Sequence, residues 1–148
     1  MVIRRAELSD IGEIVTLLEC FSEESYGRYG IEFDAWSASK SAELFVKYHT
    51  TLVMEKNDCV VGVAAGGLAP CPWNHQKKIF TEGIWYVAQA YRRYGVKLYS
   101  ALEQAARDSG ADVMVMATMS NSMADKVGAF YERQGFQRME LHYSKVIK

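Results

Sequence analysis

Apolar and polar positions along this chain repeat with two periods, and the period changes several times. Residues 2–7 read as a short strand. From Ser9-Asp10 the spacing becomes helical: Ile11, Ile14, Val15, Leu18 and Phe21 fall three and four apart and predict one apolar helix face. Asp10 and Glu13 have the spacing of a capping box at its start. Tyr26-Gly27-Arg28-Tyr29-Gly30 is loop chemistry, and a weaker helix is expected after Asp34, using Trp36, Leu44, Phe45 and Tyr48. The middle of the chain is strand-rich. Leu52–Glu55 and Cys59–Ala65 are β-like runs joined by Lys56-Asn57-Asp58, which predicts a hairpin turn, and Ile79–Val87 is a third run. A lone Gly83 inside that third run marks a bulge or a close backbone approach. Pro70 and Pro72 flank Cys71 and predict a loop over residues 69–78.

The helical period returns at Leu98, Ala101, Leu102 and Ala105, with Gly110 as a C-cap. Asp112–Thr118 reads as a buried strand. Ser122 and Asp125 give an S-x-x-D start for a further helix carrying Val127, Phe130, Tyr131 and Gln134 and stopping at Gly135. Residues 137–147 are expected to finish as a strand. The order β-α-α-β-β-β-α-β-α-β contains a strand–helix–strand unit at residues 79–118, so a parallel pair is expected inside a mixed α/β sheet.

Composition narrows the function classes. The 148 residues suit one domain over 1–148, with 49% hydrophobic and 24% charged positions. No apolar run reaches the roughly 20 residues of a membrane helix, and the start, Met1-Val2-Ile3-Arg4-Arg5-Ala6-Glu7, has no apolar signal region. The formal net charge of -1 argues against a protein devoted to nucleic-acid phosphates. Cys20, Cys59 and Cys71 lack paired spacing, and His49, His75 and His142 lack metal-ligand spacing. Reduced thiols, no metal and a cytoplasmic setting are therefore expected.

One segment carries a chemical signal. At Val87-Ala88-Gln89-Ala90-Tyr91-Arg92-Arg93-Tyr94-Gly95-Val96-Lys97-Leu98 a strand leads through a basic turn into a helix. Free N–H groups and the helix dipole at such a junction suit a phosphate or pyrophosphate. Gly95 lets a backbone approach closely, and Arg92, Arg93 and Lys97 surround it with charge. Neither G-x-x-x-x-G-K-[ST] nor G-x-G-x-x-G is present.

Arg92-x-x-Gly95-x-Lys97 resembles the pyrophosphate motif [Q/R]-x-x-G-x-[G/A] of the GNAT superfamily of N-acetyltransferases, with Lys97 where Gly or Ala is usual. Trp85-Tyr86-Val87 resembles that family's fourth strand. Ala129-Phe130-Tyr131-Glu132-Arg133-Gln134-Gly135-Phe136 resembles its later signature, and Ile3-Arg4-Arg5-Ala6 with Asp10-Ile11 its usual start. The resemblance implies a central mixed, twisted sheet flanked by about four helices. It implies acetyl-CoA as cosubstrate, its pantetheine arm paired with backbone at Trp85, Tyr86 and Val87, and its pyrophosphate on the amides of Arg93, Tyr94, Gly95, Val96 and Lys97. Asn121 is a further cofactor candidate; the family's usual asparagine position, seven before the tyrosine, is Ala124 here.

By the same resemblance Tyr131 is the candidate acid for the leaving thiolate; core packing is the other reading of it. Glu82 is the candidate base, directly or through a water, or else a surface carboxylate. His142 is a weaker substitute. The acceptor is an amine of unspecified kind. Tyr26, Tyr29, Phe33 and Trp36, with Glu23, Glu24, Glu32 and Asp34, make an aromatic and acidic region suited to a cationic one. A homodimer is a common outcome for this kind of fold. The competing functions are a non-catalytic acyl-CoA sensor and a protein-interaction module.

Overall fold

Strands β2 (Thr50–Lys56), β3 (Cys59–Cys71) and β4 (Asn74–Val87) form the middle of the sheet. Where helices cover both faces, at residues 52–54, 60–65 and 84–87, the strands run continuously apolar, while the distal end of the β3–β4 hairpin is polar and exposed. The computed structural model describes residues 1–121 and 123–148. Five strands pair in chain order, β1 (Val2–Arg5) to β5 (Val113–Val115), antiparallel except for the parallel β4–β5 pair. The expected mixed α/β sheet and its parallel pair are both present.

Alternation divides the core in two. Val53, Val63, Ala65, Ile84 and Tyr86 pack with Ile14 and Leu17 of α1 (Ile11–Ser25) and Ala42 of α2 (Ala35–Tyr48). Leu52, Met54, Ala64, Phe80 and Val87 pack with Leu98, Leu102 and Ala106 of α3 (Gly95–Asp108). Helix α4 (Ala124–Arg133) brings Tyr131 to the second side, against Trp85. Phe80 is fully buried, and its ring occupies the space over Gly66; a Cβ on that glycine would lie 2.3 Å from it and 2.8 Å from the Thr81 carbonyl. Phe80→Ala is expected to cost about 3–5 kcal/mol in chemical denaturation. Gly66→Ala should also destabilise, and the double variant by less than the sum, because one of the two clashes disappears with the ring.

Several local expectations hold for visible reasons. Asn57 and Asp58 both have positive φ, 51° and 61°, the geometry of a two-residue hairpin turn. Asp34 caps α2 by accepting the Ser37 N–H at 2.7 Å. Gly110 and Gly135 take φ of 83° and 90° after α3 and α4. Gly83 is an extra residue in β4: Ala65 pairs with Ile84 and Gly66 with Glu82, leaving Gly83 unmatched.

Others are corrected. The expected 69–78 loop is the distal end of the β3–β4 hairpin, paired out to Cys71 and Asn74. Pro70 fits a strand there because β2 ends opposite Gly66, so this stretch of β3 is an edge that needs no N–H on that side. Residues 137–147 carry no strand, and Met139, Leu141 and Tyr143 are exposed. The segment's one close approach to a glycine is Val146 against Gly30. β5 spans three residues rather than seven, with Val113 half-exposed rather than buried. The buried face of α2 is Ala42, Phe45 and Val46, while Trp36, Leu44 and Tyr48 face outward. Asp10 and Glu13 do not form a box: Asp10 accepts the Glu7 N–H at 2.7 Å and pairs with Arg4, and Glu13 reaches the Val60 N–H on β3. The S-x-x-D signal at Ser122 lies outside the described residues. Among the described residues no helix is long and apolar enough to cross a membrane.

Candidate active site

The site begins where β4 and β5 part. Their pairing ends at Thr81 with Val115, yet β4 continues to Val87. On the β3 side Ile84–Val87 remain paired; on the other side, among the described residues, no strand accompanies them. An extended chain could add there by main-chain hydrogen bonds.

The bulge decides what lines this gap. In an unbroken strand residue 82 would share a face with Ile84 and Tyr86, toward α1. The extra Gly83 shifts the parity, so Phe80 falls on the same face as Trp85 and Val87. Glu82, two residues from Phe80, is thereby turned toward α4. Its Oε2 accepts the Ala117 N–H at 3.0 Å, and the Tyr131 hydroxyl donates to the Ala117 carbonyl at 3.0 Å. Glu82 and Tyr131 are thus held by the two faces of one residue just beyond β5.

Both groups are perturbed. Burial pushes the Glu82 carboxyl up to about 7, partly opposed by the Ala117 N–H. Burial first, then the Glu82 charge and Tyr99, raise the Tyr131 hydroxyl. The Tyr131 ring is fixed by Phe136 at 5.4 Å and by Trp85 and Phe130 at 5.9 Å between centroids. The Tyr131 ring is therefore part of the core, and its hydroxyl reaches the gap-side peptide. Among the described residues the buried Trp85 indole N–H has no acceptor.

The basic segment differs from an open turn. Gln89–Tyr94 coil as a 3₁₀-helix running into α3, with the Tyr91 N–H bonded to the Ala88 carbonyl and the Gly95 N–H to the Arg92 carbonyl. The Gly95 amide is therefore turned inward, which corrects the expectation that it stands free. Gly95 is the first residue of α3, with φ of -55°. A Cβ there would lie 3.7 Å from Trp85 and 3.8 Å from Val87, ordinary contact distances, so the fold itself does not require glycine.

The side chains of the segment sort into two groups. The Arg93 guanidinium lies 4.8 Å and the Lys97 ammonium 5.8 Å from the centroid of the Tyr94 ring, which both cations share. Val96 is half-exposed beside them. Arg92 does not join this group. Its Nη2 binds both carboxylate oxygens of Glu24 on α1, at 2.6 Å to Oε1, and its guanidinium lies near the Tyr86 ring. The Tyr86 hydroxyl donates to the same Oε1 at 2.7 Å, and burial with that carboxylate pushes the phenol up to about 12.

The remaining candidates are dispersed. Asn121 donates to the Ser25 hydroxyl at 3.3 Å and accepts the Met123 N–H at 3.0 Å, which pins the entry to α4 against the end of α1. His142 sits on the exposed terminal segment, 3.5 Å from Glu140. Phe33, Glu23 and Glu32 line an open pocket of about 330 Å³ together with Gly27, Gly30 and Ile31. Tyr26 instead packs edge-on against Phe21, Tyr29 accepts from Arg28, and Trp36 points to solvent. Sequence reasoning missed Ala117, which acts through its backbone, and the partnership of Glu24 with Arg92, 68 residues apart.

A family model described as the acetyltransferase (GNAT) family matches residues 12–136. An acetyltransferase from Trypanosoma brucei superposes with a TM-score of 0.73 at 19% identity, covering 99% of each chain. An aminoglycoside acetyltransferase from an uncultured soil metagenomic sample gives 0.72 at 17%, covering 99% of this chain and 98% of that one. A glucosamine-6-phosphate N-acetyltransferase from Arabidopsis thaliana gives 0.71 at 15%, with the same coverage. At these identities the likeness is one of fold. No curated protein matches the chain.

Proposed function

The chain belongs to the acetyltransferase (GNAT) family, and from that premise we propose that it transfers an acetyl group from acetyl-CoA to a primary amine by direct attack in a ternary complex. The observation that carries this reading is the Ala117 residue holding Glu82 and Tyr131 together beside the unpaired edge of β4. Acetyl-CoA supplies an activated thioester. Backbone at Trp85–Val87 would receive its extended arm, and Arg93, Lys97 and the start of α3 its phosphates. Glu82, with its carboxyl near 7, is suited to take a proton from the amine; Tyr131, kept protonated, is suited to give one to the departing sulfur.

Gly95 gives the sharpest test of cofactor placement. Gly95→Ala should keep or slightly raise the melting temperature, since alanine favours a helix by up to about 1 kcal/mol. If phosphate approaches that backbone, the same change should weaken acetyl-CoA binding by roughly tenfold, about 1.4 kcal/mol, in calorimetric titration. Unchanged affinity would move the phosphates elsewhere. Binding without thiol release on any amine would favour the acyl-CoA sensor.

For the acceptor, the pocket lined by Phe33, Glu23 and Glu32 supports a cationic amine. Polyamines and aminoglycosides are suitable first probes. Phe33→Ala is expected to raise the acceptor KM about tenfold, a loss of about 1.4 kcal/mol, with a smaller change in kcat. A KM unaltered by this change would place the acceptor away from the pocket.

A further inference from the structure

Arg92 lies in the basic segment, yet its charge is spent on Glu24. With Tyr86 the cluster spans three elements: Glu24 near the end of α1, Tyr86 on β4 and Arg92 just before α3. One carboxylate oxygen, Oε1, takes both the Tyr86 hydroxyl and the Arg92 guanidinium, and Oε2 takes a second contact from Arg92. Both contacts come from one nitrogen, Nη2, while the Nε–H donates to the Val87 carbonyl at 3.4 Å; a phosphate oxygen could take the place of the carboxylate at Nη2 as a charge-assisted acceptor. The contact is not a sealed core pair, with side-chain exposures of 31% and 40%, so water and a competing anion can reach it. Among the described residues its neighbour Arg93 and the nearby Lys97 lie against the Tyr94 ring and make no ion pair, so they are available to an anion from the start.

We propose that Glu24 is an internal competitor for Arg92: a phosphate of acetyl-CoA displaces it, and the carboxylate so released adds to the acidic end of α1 beside Glu23. The inference rests on the acetyl-CoA reading above. Its consequence is a coupling between the two substrates. With the cofactor absent, Glu24 is neutralised by Arg92. With the cofactor bound, the phosphate takes over the arginine, and a free negative charge is left on α1 at the residue next in sequence to Glu23, which lines the pocket with Glu32. A cationic acceptor then binds better after acetyl-CoA than before it, and by linkage acetyl-CoA binds better once the acceptor is present. No group is consumed in this exchange; one anion replaces another at a single guanidinium.

The test is calorimetric titration of acetyl-CoA into the native chain, Glu24→Gln, Arg92→Ala and the double variant. Glutamine keeps an oxygen for the Tyr86 hydroxyl and removes the charge that competes. Glu24→Gln should bind acetyl-CoA at least about threefold more tightly than the native chain, and that gain should vanish when Arg92 is alanine. If Glu24→Gln binds equally or more weakly, Glu24 positions Arg92 or is irrelevant to it, and the competition is overturned while the acetyl-CoA reading stands. If neither the native chain nor any variant binds acetyl-CoA, that reading fails and takes the competition with it. A readout independent of the variants' folding is the Arg92 Nη–H resonance of the native chain, since Nη2 is the nitrogen that holds Glu24. It should shift on adding coenzyme A if the guanidinium changes partner; an unmoved resonance at saturation overturns the exchange.

Discussion

Glu82→Gln should lower kcat by about 10²–10⁴-fold and abolish the ascending limb of the pH–rate profile. The argument joins position and protonation. Glu82 faces the gap between β4 and β5 and holds one hydrogen bond, from the Ala117 N–H. Its carboxyl is pushed up to about 7 by burial, so the native rate should rise with pH through that value and level off above it. The glutamine variant should be slow and flat across the same range. A limb near pH 7 that survives the substitution would assign the base elsewhere. The effect on stability has its own sign. A carboxyl whose folded-state value lies above its ordinary 4.5 binds more protons folded than unfolded between those values, so its ionisation costs stability as pH rises through 7. Glu82→Gln should therefore be no less stable than the native chain at pH 8, relative to their difference at pH 4. Melting curves at the two pH values separate this from a general loss of structure.

Tyr131→Phe should cost a comparable factor in kcat, about 10²–10⁴-fold, with little change in acetyl-CoA affinity. The ring makes the packing contacts with Trp85, Phe130 and Phe136, and phenylalanine preserves them. Only the hydroxyl and its bond to the Ala117 carbonyl are lost, worth about 0.5–1.5 kcal/mol to stability. A variant that is folded and binds acetyl-CoA but turns over slowly would assign the hydroxyl to chemistry. Undiminished turnover would leave Tyr131 as packing alone. The Trp85 indole, buried beside it with no acceptor among the described residues, should be unaffected in either case.

What the sequence made legible was local. Two residues with left-handed tendency, Asn57 and Asp58, announced the β2–β3 turn. A lone glycine in an aromatic and β-branched run announced the β4 bulge. The spacing of Leu98, Ala101, Leu102 and Ala105 announced α3; the first three do pack on the core, with Ala106 rather than Ala105 completing the buried face. Misreadings arose where a local signal met a non-local circumstance. Pro70 and Pro72 suggested a loop, but the end of β2 makes that part of β3 an edge, where proline is tolerated. Large side chains suggested the buried face of α2, but Gly83 and the sheet accept Phe45, leaving Trp36 and Tyr48 outside. The last residues were expected to form a strand, but a strand exists only with a partner, and residues 137–147 have none among the described residues.

The candidate site divides in the same way. Its members on β4 and α4 could be named from motifs because each is a side chain of a particular type. The bond that gathers them could not. Ala117 contributes an N–H and a carbonyl that any residue would bring, and nothing in its side chain signals the role. Glu24 and Arg92 were each visible as charges, but their pairing depends on how α1 crosses β4.

The bulge at Gly83 also bears on how this chain can vary. Insertions and deletions are usually absorbed in loops, where length is cheap. Inside β4 one residue acts like a reading frame: delete it, and everything on one side of the deletion exchanges faces with everything on the other. Phe80 and Glu82 would leave the α3 and α4 side together, and the charge would enter the α1 core. Substitution at position 83 would bring a Cβ within 2.6 Å of the Phe45 ring, which would have to shift. In this strand the number of residues is therefore constrained as well as their identity.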